Sequence, residues 1–183
     1  MKYYFASDYH LGHANIIKYC RRPFIDVDDM NNTIIRNHNN RVHPEDLVFF
    51  LGDFCFKNSP GGKKGEGLTH KSRHYLEQLK GNFIFVKGNH DRNNSVKTII
   101  ERMVINYGGK RINMVHNPEH ADFNFDINFC GHVHQNWECR RMRSGEKFTD
   151  LINVSCDVWA FKPVSFEELM KRYQKWLKEN KYE

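Results

Sequence analysis

The chain has 183 residues, with 28 Lys+Arg against 22 Asp+Glu for a net charge of +6, and a mean hydropathy of −0.74. This length suits one domain with a core large enough to fold without disulfides. Aromatic residues at 14% exclude a long disordered chain. No apolar run approaches the roughly 18 residues a membrane helix needs.

After Met1-Lys2 the apolar stretch Tyr3 to Ala6 is shorter than the core of a signal peptide, about 7–15 residues. Cys20, Cys55, Cys130, Cys139 and Cys156 are odd in number and form no C-x-x-C pair. Reduced, buried thiols and a cytoplasmic location are therefore expected, with no membrane partner.

Lys2 to Ala6 reads as a strand running into Ser7-Asp8-Tyr9-His10. Ala14 to Cys20 reads as a short helix stopped before Pro23. Asp26 to Val42 reads as a helix opened by Asp26, Asp28 and Asp29, with Met30, Ile34, Ile35 and Val42 on its apolar face. Leu47 to Leu51 is an apolar strand ending at Gly52-Asp53. Residues 57 to 69 are rich in glycine and lysine and read as a loop on the rim. His70 to Leu79 reads as a helix ended by Gly81, and Phe83 to Val86 as a strand into Gly88-Asn89-His90-Asp91. Val96 to Met103 is expected to be helical. Strands follow at Ile112 to Val115, before His116, at Ile127 to Cys130, before Gly131-His132, and at Phe148 to Val154. Ser165 with Glu168 three residues on is a capping box for a last helix to about Lys178.

Strands alternating with helices, then strands and a closing helix, describe an α/β chain in a single domain, 1–183. Ligands of such folds sit at the carboxyl ends of strands, and five polar clusters fall there: Asp8-x-His10, Gly52-Asp53, Gly88-Asn89-His90-Asp91, His116 and Gly131-His132-Val133-His134. Each alone is a common turn or an ordinary histidine. Together they offer oxygen and imidazole donors without thiolate, which suits Mn, Fe, Co, Ni or Zn and argues against a structural Cys-type zinc site. The donors are too many for one ion. Two ions about 3.5–4 Å apart need a bridging carboxylate, and Asp53 is the natural bridge. The glycines before Asp53, Asn89 and His132 are expected to let the backbone turn sharply.

This set, D-x-H, G-D, G-N-H-D, a lone His after a strand and G-H-x-H, resembles the calcineurin-like metallophosphoesterase superfamily, in its small microbial and phage phosphodiesterase branch. The resemblance spans residues 8 to 134 and implies a β-sandwich of two mixed sheets flanked by helices. It implies two divalent ions, manganese first among the candidates. One would take Asp8, His10, Asp53 and His134; the other Asp53, Asn89, His116 and His132. It further implies hydrolysis by in-line attack of a metal-bridging hydroxide, with His90 as general acid and Asp91 orienting and charge-supporting its ring.

Departures from relatives within that superfamily narrow the reading. Protein Ser/Thr phosphatases carry Asp-Arg-Gly after Gly-Asp and a Glu after Asn-His, whereas here Phe54-Cys55-Phe56 and Asp91 stand there. Purple acid phosphatases place a ligating Tyr where this chain has Phe56. The expected function is a phosphodiesterase on nucleotides or nucleic acid. A phosphomonoesterase on a small metabolite is the alternative, and a non-catalytic scaffold on the same fold a further one.

Arg92 and His13 are the candidate substrate-binding residues. Arg22 is expected either to hold a phosphate oxygen or to pair with an acidic neighbour, and His120 either to face substrate or to lie on the surface. His38, His43, His70 and His74 receive no role. Arg140 to Arg143 is the only dense basic run, thin support for a nucleic-acid-binding module.

Overall fold

The computed structural model describes residues 1–56, 70–91 and 95–182. In chain order the elements are β1 (Tyr3–Ala6), α1 (Ala14–Tyr19), α2 (Val27–Asn39), β2 (Leu47–Leu51), α3 (Ser72–Leu76), β3 (Asn82–Val86), β4 (Arg102–Tyr107) and β5 (Lys110–Val115). A 3-10 turn (Pro118–His120), β6 (Ile127–Cys130), β7 (Cys139–Ser144), β8 (Lys147–Asn153), a second 3-10 turn (Cys156–Val158), β9 (Val164–Ser165) and α4 (Phe166–Glu179) complete it.

They form two mixed sheets, β3-β2-β1-β9 and β4-β5-β6-β8-β7, so the expected α/β sandwich is the architecture found. In the first sheet β1, β2 and β3 are parallel and β9 is antiparallel; in the second β5, β6 and β8 are parallel, flanked by antiparallel β4 and β7. Side chains alternate across a strand, and the sequence uses that period. Phe5, Phe49 and Leu51 of the first sheet meet Ile112, Met114, Ile127, Phe129 and Ile152 of the second in one buried layer. The opposite face, with Phe50 and Phe54, packs under α2 through Met30 and Ile34. Helix α4 starts on the capping box: Ser165 Oγ accepts from Glu168 N, and Glu168 accepts from Ser165 N.

The helix expected at Val96 to Met103 is corrected. Residues 95–101 form neither helix nor strand, and β4 begins at Arg102, paired antiparallel with β5. Val96, Ile99, Ile100 and Met103 imitate helical spacing. Burial instead alternates along Arg102–Tyr107, and Gly108-Gly109, with φ +59° and +72°, make the two-residue hairpin turn. The expected rim loop at 57–69 and Arg92 lie outside the described residues.

Candidate active site

Six parallel strands end at one edge of the sandwich, and the site is built from the residues just beyond them. Asp8 and His10 follow β1, Asp53 follows β2, Asn89 to Asp91 follow β3, His116 follows β5, and His132 and His134 follow β6. The chain turns abruptly there. Asp8, His10, Asp53, His132 and His134 all have positive φ, between 48° and 70°. Non-glycine residues rarely adopt that conformation and hold it only where surrounding contacts enforce it. Here Asp8 N donates to Gly52 O at 3.0 Å, His10 N to Asp53 O at 3.1 Å, and His132 N to Asp8 Oδ2 at 3.0 Å.

The glycines answer to two different demands. Gly52 does turn with φ +87°. Gly88 and Gly131 are needed for close approach: an added Cβ would sit 2.2 Å from Asp53 Oδ1 at Gly88, and 2.4 Å from Ser7 Oγ at Gly131. The expected sharp turn at those two positions is thus replaced by a requirement for space.

Donor atoms gather into two triads, Asp8–His10–His134 and Asp53–His116–His132, each with its atoms within 4.8 Å of one another. A single oxygen links them. Asp53 Oδ2 lies 3.5 Å from His10 Nε2 and 3.3 Å from His116 Nε2. Asn89 Oδ1 closes the second group, 2.9 Å from His116 Nε2 and 3.0 Å from His132 Nδ1.

The residues fit divalent ions on their own chemistry. His10 is only 1% exposed, yet neither ring nitrogen has a hydrogen-bond partner among the described residues. Such orphaned polar atoms are rare in a folded interior. His116 Nδ1 donates to Leu51 O at 2.7 Å while its Nε2 faces Asn89 Oδ1 and Asp53 Oδ2. A neutral imidazole has one donor, so a ring facing acceptors on both sides either carries a second proton or binds a cation.

The electrostatics point the same way. Burial raises the Asp8 carboxyl and lowers His10 well below the usual imidazole range. Burial also opposes charge on Asp53 and His116, but their mutual hydrogen bond outweighs it, holding Asp53 below the carboxylate range and lifting His116 to about 9. A pocket that draws protons onto histidine draws cations for the same reason.

The remaining candidates separate. His90 donates its backbone N–H to Asp53 Oδ1 at 2.8 Å; its ring is exposed, 5.4 Å from the His10 ring and 5.6 Å from Phe56. The expectation that Asp91 orients His90 is corrected. Asp91 accepts from Asp53 N, Phe54 N, Gly88 N and Ser95 Oγ, at 2.6–3.0 Å, and so braces the turn that carries Asp53. His13 is buried, its ring stacked on Phe56 at 4.1 Å and 5.7 Å from His10. His120 is exposed on a cleft of about 280 Å³ lined also by Lys87, Asn89, His116, Asn117 and His132.

Arg22 does not face substrate. It is buried and pairs with Asp157, Nε to Oδ1 at 2.9 Å and Nη2 to Oδ2 at 2.8 Å. Asp157 also accepts from His134 Nδ1 at 2.9 Å, which with Arg22 holds its carboxyl below the usual range against the effect of burial. Asp157 was not among the candidates. The signal that finds it is an acid just past Phe148 to Val154, a strand with the same carboxyl-edge logic as the others. Cys20, His134 and Asp157 also lie close enough to hold an ion, but the guanidinium 2.8 Å from Asp157 disfavours a third cation there.

No protein-family model matches the chain. The uncharacterized protein MJ1445 of Methanocaldococcus jannaschii is 38% identical over 179 residues, covering 95% of this chain and 92% of that one. The solved structure of protein AQ665 of unknown function from Aquifex aeolicus matches with a TM-score of 0.66 and 26% identity, over 93% of this chain and 98% of the other. A structure described as a novel archaeal phosphodiesterase is similar at a TM-score of 0.41 and 18% identity, over 87% of each chain.

Proposed function

We propose that this chain, 38% identical to the uncharacterized MJ1445, is a two-metal phosphodiesterase of the calcineurin-like metallophosphoesterase superfamily acting on nucleotides or nucleic acid. The observation that carries the reading is the pair of donor triads sharing Asp53 Oδ2. Asp8, His10, Asp53 and His134 would hold one ion, and Asp53, Asn89, His116 and His132 the other. Bound there, divalent ions supply Lewis acidity toward a phosphoryl oxygen and make water a nucleophile at neutral pH.

The protein's own groups do the rest. Asp53 offsets the repulsion between two cations. His116 keeps Nε2 aimed inward because Nδ1 is tied to Leu51 O. In this reading His90, whose exposed ring lies 5.4 Å from the His10 ring, would protonate the departing ester oxygen. The cleft beside Asn89 and His132 has room for part of the substrate, and on its rim Lys87 pairs with Glu101 at 3.1 Å.

The test is activity on a diester and a matched monoester of the same aryl alcohol, with Mn²⁺, Ni²⁺ and Zn²⁺ supplied separately to chelated protein. Activity lost on chelation, restored by metal and higher in kcat/KM on the diester supports the proposal. A preference for the monoester favours the phosphomonoesterase, and inactivity on every ester with both ions bound favours the scaffold.

A further inference from the structure

We propose that Asp157, held in place by Arg22, is a positioning residue that orients His134 toward the ion at Asp8 and His10. This rests on the two-metal reading of the site. Asp157 lies in the 3-10 turn Cys156–Val158 just beyond β8, at the one parallel strand end to which no metal ligand is assigned. Its Oδ2 accepts from His134 Nδ1 at 2.9 Å, leaving Nε2 as the nitrogen available to the triad. The His134 ring stacks on the His10 ring, centroids 5.2 Å apart.

The carboxylate has no freedom to turn. Oδ2 also accepts from Ser155 Oγ at 3.0 Å and Arg22 Nη2 at 2.8 Å, and Oδ1 accepts from Arg22 Nε at 2.9 Å. Arg22 then reaches across to the other ligand segment. Its Nη2 donates to Asp8 O at 2.6 Å and its Nη1 to Tyr9 O at 2.9 Å. One buried guanidinium therefore fixes, from both sides, the backbone that bears Asp8 and His10 and the carboxylate that bears on His134.

The chemistry favours one ion over the other. A carboxylate behind an imidazole fixes its tautomer and raises the basicity of the nitrogen that meets the metal. Arg22 balances the added negative charge, so the pair adds none overall to the buried site. The counterpart His116 is backed by a neutral carbonyl, Leu51 O. Among the described residues Asp157 makes no hydrogen bond or ion pair with Asp53, Asn89, His116 or His132.

The experiment is Mn²⁺ titration of the full chain by calorimetry, with bound metal counted by elemental analysis. In Asp157→Asn the affinity for one of the two ions should fall roughly 10–100-fold, the usual effect of losing such a support, with the other unchanged. Asp157→Glu, which keeps the charge, should recover part of the loss. Asp157→Asn leaves the Arg22 charge buried without its partner, so the double variant Arg22→Met/Asp157→Leu repeats the test with an apolar pair, a kind of exchange that folded proteins tolerate. It should show the same selective loss, with a native circular-dichroism spectrum. Two ions weakened equally, or neither weakened, overturns the proposal. Wild-type protein that binds no ion overturns the two-metal reading along with it.

Discussion

His90 and Asp91 are neighbours with separate tasks. The backbone N–H of His90 holds Asp53 Oδ1, which sets the ring at the open mouth of the site, while Asp91 spends both oxygens on the turn beneath. In-line displacement builds charge on the leaving oxygen. An alkoxide needs a proton, whereas nitrophenolate departs without much help. General acid catalysis contributes about 10²–10⁴-fold, so His90→Asn is expected to lose much of that factor on a nucleoside diester and far less on a nitrophenyl ester. The check is kcat/KM across leaving groups of graded pKa, with metal content measured. An equal loss across the series would make His90 a phosphate-positioning group only.

At the scale of elements, α2 is more than a cover for the first sheet. His38, inside it, donates Nε2–H to Lys80 O at 2.8 Å, so its Nδ1 accepts from Tyr9 Oη at 3.0 Å. Tyr9 stands between Asp8 and His10, and the helix thereby braces their segment. Burial lowers His38 from 6.5 to about 4, the carbonyl of Lys80 opposing only in part. The unfolded chain therefore binds the proton more readily. Stability from this group is complete above pH 6.5, falls as the pH drops toward 4, and amounts to about 3 kcal/mol over that window. Denaturant midpoints from pH 7 to 4 should fall less steeply for His38→Gln, which keeps both hydrogen bonds but does not titrate. Identical slopes would show that folding leaves the pKa of His38 unchanged.

Over the whole molecule, the site lies on the seam between the sheets. Phe5 meets Phe129 edge-on at 5.0 Å in the core below, and above it Ser7 bridges to Ser155 and His132 N reaches Asp8. The residues proposed to hold each ion come from both sheets, so bound metal would link the two halves. A ligand that binds only the folded state stabilises it by about 2.7 kcal/mol at one hundred times its Kd. For a chain of this length that raises Tm by about 5–10 °C. Scanning calorimetry with and without saturating Mn²⁺ should show the rise, and chelator should remove it. No shift would mean that the ions are not held by the fold.

What could be read in the one-dimensional chain was whatever has a local cause. Apolar runs ending in Asp, His or Asn marked strands and the edge where the donors emerge, because side-chain alternation and strand length are short-range properties. The capping box at Ser165 was legible for the same reason, as was the set Asp8, His10, Asp53, Asn89, His116, His132 and His134. The hairpin Tyr107-Gly108-Gly109-Lys110 was equally local, and its signal was masked by the helix-like spacing of Val96, Ile99, Ile100 and Met103. Other features depend on residues brought together only by folding. Asp157 meets Arg22 across 135 positions, and Asp91 meets the Asp53 turn across 38. Gly88 and Gly131 are glycines because Asp53 and Ser7 come to lie where a Cβ would be. Spacing along a chain carries no record of such distances; the packing of one sheet on the other decides them.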